Sequence, residues 1–284
     1  MSKIKIIADS TCDLSKELLD KYNIDLIPLY IVMDEVSYMD GIEVTPSELY
    51  AWSDRVNQTP KTAAPGIEIA TKIIKKYDTP NTDIIFLGIS ETMSTTCNVI
   101  RLIAKECQHA VVHVINSKNL STGIGLQVIC AAKMAQEGET AASIVTTIEK
   151  KRDLVSASFV VDTLTYLHRG GRCNAATALV AGALKLKPKI IVENGQMDVS
   201  KKYRGTIRNV VEKYVKDMEP ALLNAENERV FITHSGCSDE ILEMVKMQLE
   251  RLDYFQEILV TRAGGVISSH CGPNTLGVLF YRKD

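Results

Sequence analysis

No stretch of this chain approaches the roughly 18 consecutive apolar residues that a membrane-spanning helix needs. The apolar run in MSKIKIIADS is also too short for a signal-peptide core and breaks at Asp9. The seven cysteines, at positions 12, 97, 107, 130, 173, 237 and 271, form neither a C-x-x-C nor a paired Cys/His ligand spacing. No metal site is therefore expected, and free buried thiols in a reducing cytosol fit best. An excess of one charge is missing too. With 33 Lys and Arg against 35 Asp and Glu, the net charge of -2 argues against a generalised nucleic-acid surface and leaves room for a local basic patch. Internal repeats and low-complexity linkers are absent.

What remains is an ordinary globular composition, 45% hydrophobic and 24% charged, in 284 residues, a length that favours two cores over one. Residues 3–9, 83–89 and 110–115 read as buried strands alternating with helical periodicity over 66–77, 95–107, 121–137 and 140–153, the grammar of a helix-covered, mainly parallel sheet. Pro28 and the Asp40-Gly41 pair mark an edge strand and a tight turn. Thr45, Pro46 and Glu48 form a capping box that opens a helix. From 157 a strand restarts, and from 188 the order becomes strand, Asn194-Gly195 hairpin, strand, helix (205–223), strand (229–234), helix (239–252), strand (255–261) and closing strand (276–282). That is a mixed or antiparallel sheet with helices on one face. The expectation is an α/β protein of two domains, 1–155 and 156–284.

Four Ser/Thr-rich stretches follow strand ends, where open α/β sheets place ligands: 9–11, 62–66, 90–96 and 116–123. Each could simply cap the next helix, yet hydroxyls beside helix N-termini also suit an anion. STGIGLQ (121–127) lacks the third glycine of G-x-G-x-x-G and the Lys-Ser/Thr of a P-loop, so close packing explains Gly123 and Gly125 better than a phosphate cradle. His168 reads as a solvated helix end and His234 as structural. Residues 168–208 concentrate positive charge, either a solvated face or a docking surface. Paired glycines and a Gly272-Pro273 turn bracket His270, which implies a tightly turning backbone close to something.

Taken together, DSTCDL (9–14), Thr62 with Pro65, the segment around Ser94, TLTYLHRGGR (163–172), KLKP (185–188), HSG (234–236) and HCGPNTLG (270–277) resemble the DegV family. These are fatty acid-binding proteins that serve as lipid-carrying subunits of bacterial fatty acid kinase. The resemblance runs nearly end to end and implies a long-chain fatty acid in a tunnel between the two domains. It implies a carboxylate held by Thr62, Ser94 and His270, and a soluble kinase partner docking on Arg172 and Arg204. It further implies a cytoplasmic carrier with no chemistry, cofactor or nucleic-acid partner of its own and no integral membrane contact, a transient contact with a membrane surface staying open. The chain departs from the family pattern at Ala63, Ala64, Thr95 and Asn274, which alters the polarity and shape of the head-group pocket.

Burying a tail of about fifteen methylenes is worth roughly 12 kcal/mol gross, against about 1.5–3 kcal/mol for each hydrogen bond to a charged head. The tail therefore sets affinity and the polar trio sets direction. Apolar helix faces such as TALVAGALKL (177–186) are candidates to line the tunnel. With hydroxyls and no close arginine around it, a buried carboxyl would have a raised pKa unless His270 is protonated. Two alternatives stand beside the carrier. One is a lipid sensor that regulates another protein. The other is a hydrolase or acyltransferase using Ser94 and His270, which lacks a G-x-S-x-G elbow and an evident acid.

Overall fold

The computed structural model describes residues 2–173 and 186–283. The first half runs β1 (Lys3–Asp9), α1 (Lys16–Lys21), β2 (Asp25–Ile27), β3 (Tyr30–Met33), β4 (Val36–Met39), α2 (Pro46–Val56), β5 (Lys61–Ala63), α3 (Ile67–Lys75), β6 (Thr82–Gly88), α4 (Thr96–Ala104), β7 (Val111–Asn116), α5 (Thr122–Gln136) and α6 (Ala141–Lys151). The second half continues with β8 (Val155–Val160), α7 (Thr165–Gly170), β9 (Leu186–Glu193), β10 (Gln196–Arg204), α8 (Ile207–Leu223), β11 (Ala225–Ser235), α9 (Asp239–Glu250), β12 (Glu257–Arg262), α10 (Gly265–Cys271) and β13 (Thr275–Arg282).

Three sheets result. β2-β1-β6-β7 is parallel throughout, as continuous apolar strands alternating with helices require. β10-β9-β8-β13-β11-β12 is mixed, with one parallel pair at its β11/β12 edge. A small antiparallel sheet, β4-β3-β5, lies outside both.

The capping box forms as the sequence indicates: Glu48 N–H donates to Thr45 Oγ1 at 3.3 Å and Thr45 N–H donates to Glu48 Oε2 at 2.8 Å. The hairpin at Asn194 and Gly195 has positive φ at both residues, 50° and 81°, which is why that dipeptide turns there.

Strand periodicity explains how the halves join. In β13, Leu276, Val278 and Phe280 pack with α8 and α9, whereas the intervening Leu279 and Tyr281 join a core built from β1, β6 and α5. β11 does the same with Val230 and Ile232 on one side and Phe231 on the other. The mixed sheet thus has its own helices on one face, as expected, while α5 of the first half covers the other. One difference from the sequence reading concerns Gly264-Gly265, which open the short helix α10 where a turn was expected. Helix formation there depends on two distant carboxylates that accept its first N–H groups: Gly264 N–H donates to Asp13 Oδ1 at 2.8 Å and Gly265 N–H to Asp40 Oδ1 at 2.7 Å.

Candidate functional site

β1 and β6 lie side by side in parallel with β2 outside β1 and β7 outside β6, so the strand order reverses between them, the switch point at whose carboxyl ends a parallel sheet admits a ligand. Asp9, at the end of β1, ties the two together by accepting from Ile89 N–H at 2.7 Å and from Thr11. A cavity of about 440 Å³ opens beside this switch point, within the usual range for small-molecule sites. Thr62, Ser94 and His270 all line it, together with Arg172.

Each side chain arrives by a different route. Thr62 sits in β5, registered against Ile31 of β3. A Cβ on Gly265 would meet Ile31 Cδ1 at 2.3 Å, so glycine is what lets the start of α10 press onto β3 and bring His270 toward Thr62. The result is a hydrogen bond of 2.8 Å between Thr62 Oγ1 and His270 Nε2. Ser94 belongs to the loop between β6 and α4 and lies 2.9 Å from Thr96 Oγ1. The Asn194-Gly195 hairpin fixes that loop from the other half, since Ser90 Oγ donates to Gly195 O at 2.8 Å and Thr92 Oγ1 donates to the same oxygen.

Protein surrounds the imidazole except where the cavity reaches it. Burial, reinforced by the Arg172 charge, pushes its pKa down to about 4, so His270 is neutral at pH 7. Its Nδ1 is buried and has no hydrogen-bond partner. The better tautomer therefore carries the proton on Nε2 and donates it to Thr62 Oγ1, which leaves the threonine hydroxyl hydrogen free to donate into the cavity. Among the described residues no carboxylate orients His270, and its Nε2 bonds Thr62 and not Ser94, so the pairing a serine nucleophile needs is not formed there.

One expectation changes. Arg172 enters the same cavity as the trio, so a head group there does have a cation close by. Its Nη1 donates to Gly170 O at 2.8 Å, which holds it at the rim. Arg204 ends β10 on the exposed surface and is not among the lining residues. The departures at Ala63, Ala64 and Thr95 all line the cavity, so they shape it directly. Asp13 and Asp40, which carry α10, were missed by sequence reading; DSTCDL contained the first, but nothing local marks its distant partner. Gly123 and Gly125 are explained by packing, since a Cβ would lie 2.0 Å from Asn119 Oδ1 at the first and 2.8 Å from Leu14 Cδ2 at the second.

Beyond the head chamber a narrow apolar void of about 20 Å³, room for one water, continues between the halves. The two share Leu120, Ile267 and Cys271, and Phe159 and Leu279 also line the void. Of the segment 177–186, residues 177–185 lie outside the described residues.

A family model described as uncharacterised protein, DegV family, matches residues 3–283. The chain belongs to the DegV family. It is 32% identical over 295 residues to a DegV domain-containing protein of Clostridium perfringens, covering 100% of both chains. A fatty acid-binding DegV family protein of Thermus thermophilus superposes with a TM-score of 0.87 at 27% identity, covering 100% of each chain. A stearic acid-binding protein of Eubacterium ventriosum superposes at 0.85 and 26% identity, covering 100% of this chain and 99% of its own. Both of these solved relatives thus bind fatty acids. Among the described residues, no helix is long and apolar enough to cross a membrane.

Gly170 gives the site a direct test. A Cβ there would lie 2.3 Å from His270 Nδ1, so Gly170→Ala must displace the imidazole and break its bond to Thr62. If the cavity takes a fatty acid as the solved relatives do, losing this hydrogen bond should weaken its binding about tenfold, roughly 1.4 kcal/mol. A displacement titration against a fluorescent fatty acid measures it. Wild-type affinity would show that the Thr62–His270 bond does not serve the ligand.

Proposed function

We propose that this DegV protein carries one long-chain fatty acid and presents its carboxylate to a soluble fatty acid kinase for phosphorylation to an acyl phosphate. The observation that carries the reading is the meeting of Thr62, Ser94, His270 and Arg172 in one cavity that shares Leu120, Ile267 and Cys271 with a second, apolar void. The solved relatives that bind fatty acids support it.

In this reading the acid binds as its anion. Thr62 and Ser94 donate to the carboxylate, His270 holds Thr62 in its donating orientation, and Arg172 supplies the counter-charge that a buried anion requires. The tail follows Leu120, Ile267 and Cys271 toward Phe159, with those side chains repacking around it. Arg172 at the rim and Arg204 on the exposed end of β10 would meet the kinase, whose ATP performs the chemistry. The carrier itself is not an enzyme, needs no cofactor and acts in the cytoplasm.

Two measurements test the two halves of the proposal. Native mass spectrometry of freshly purified protein should show an added mass of one fatty acid, reduced in His270→Ala; an empty chain would remove the carrier function. Incubation with a fatty acid kinase and ATP should then yield acyl phosphate only when the lipid-loaded chain is present. Lipid without phosphorylation would leave a fatty acid binder that serves some other protein.

A further inference from the structure

A second cavity, of about 300 Å³, shares no lining residue with the head chamber. It exists because β9 parts from β8: their pairing covers Ser158 to Val160 against Lys189 to Ile191, and no β9 residue pairs with Ser156 or Ala157. The wedge so opened is lined by Lys118, Arg152, Lys189 and Arg282 against two carboxylates, Asp153 and Glu193.

The four cations are not equally engaged. Lys118 pairs with Asp153 at 2.9 Å, and Arg282 donates to the backbone oxygens of Asp153 and Leu154, so these two hold the wall. Arg152 donates through Nη1 to Asn116 O at 3.1 Å and pairs with Glu149 at 3.6 Å, while its Nε is buried with no partner among the described residues. Lys189 stacks over the Tyr214 ring at 5.5 Å and has no ion pair among the described residues. Burial holds its pKa below the usual lysine value, against the opposing charge of Asp217. An ammonium partly withdrawn from water and without an ion pair is stabilised by an anionic oxygen placed beside it.

We infer that this wedge is a binding site for a small phosphate-bearing molecule, held by Arg152 and Lys189 where β8 and β9 separate. With Lys118 paired to Asp153 and Arg152 to Glu149, Lys189 and Arg282 are the lining cations without an ion pair among the described residues, a positive balance that suits a phosphate anion. The site is independent of the lipid, but its walls touch the lipid loop. Lys118 and Asn119 precede Leu120 of the head chamber, and Glu193 and Asn194 precede the Gly195 oxygen that Ser90 and Thr92 grip.

Calorimetric titration of the purified protein with inorganic phosphate, and separately with phenyl phosphate, at constant ionic strength and with chloride as control, tests the assignment. A saturable site of one phosphate per chain is expected, weakened at least tenfold in Lys189→Gln, with the copurified fatty acid unchanged by mass spectrometry. Tighter binding of phenyl phosphate than of inorganic phosphate would identify a phosphomonoester as the better ligand, and the reverse would identify free phosphate. Heat no greater than that of chloride, or equal affinity in Lys189→Gln, overturns the site. Should that variant fail to fold, Glu193→Gln, which removes a carboxylate from the exposed rim, should tighten phosphate several-fold, and unchanged affinity there overturns it equally.

Discussion

Ile267→Trp should leave the protein folded and strip it of fatty acid. Ile267 is buried on α10 and lines both the head chamber and the narrow void behind it, so with Leu120 and Cys271 it forms the neck any tail must pass. An indole there would close the neck. If about eight methylenes lost their buried path, roughly 6 kcal/mol of gross burial would go with them, an affinity loss of about four orders of magnitude. Overpacking usually costs about 1–3 kcal/mol of stability. The ring can grow into the chamber, which places the cost at the low end. Ile267→Val, which widens the neck, should load lipid like the wild type. The readout is fatty acid per chain by mass spectrometry beside the thermal midpoint. A Trp variant that copurifies with a full complement of lipid would mean the tail does not run past α10.

The neck illustrates how far the sequence could be read. Alternating apolar runs and helical periods placed the parallel strands, and a capping box and an Asn-Gly turn located α2 and the β9–β10 hairpin, because those signals act within a few residues of their cause. The three-residue β5, which presents Thr62, is too short for any periodicity to show. Helix α10 was hidden behind its two glycines, because what stabilises it is Asp13 and Asp40, more than 200 residues away in the chain. The same limit concealed the second face of the mixed sheet. A strand shows that Leu279 and Phe280 point in opposite directions, but not that α5 from the other half will cover Leu279. Thr62, Ser94 and His270 were named together through a family resemblance; only the three-dimensional arrangement adds Arg172 to them and makes Thr62 the group that His270 orients.

Asp13→Ala should destabilise the fold by about 3–5 kcal/mol, while Asp13→Asn should be nearly neutral and should flatten the pH dependence of stability. Asp13 accepts from Gly264 N–H at 2.8 Å and from the Ser121 hydroxyl, and its backbone is left-handed, with φ of 52°. Alanine removes both acceptors, each worth about 1–3 kcal/mol when a partner is left unsatisfied, and is disfavoured in a left-handed conformation by about 1–2 kcal/mol. Asparagine tolerates that conformation, keeps an oxygen for Gly264 and offers an N–H to Ser121 Oγ. Burial, with the nearby charges of Asp40 and Asp9 adding to it, pushes the Asp13 carboxyl up to about 8 from an ordinary 3.8. The folded state therefore holds a proton that the unfolded chain has released. This stabilisation is complete below about pH 4 and is lost as pH rises through 8. Asp9, pushed up to about 6, acts in the same direction over the lower part of that window. Thermal unfolding between pH 5 and 9 should show the wild-type midpoint falling toward alkaline pH and the Asn variant losing the component that titrates near 8. An Asn variant with the wild-type slope, or an Ala variant as stable as Asn, would exclude Asp13 as the proton-bearing cap. Because Gly264 lies six residues before His270, the Ala variant should also release lipid more readily than its stability loss alone explains, and Asn should not.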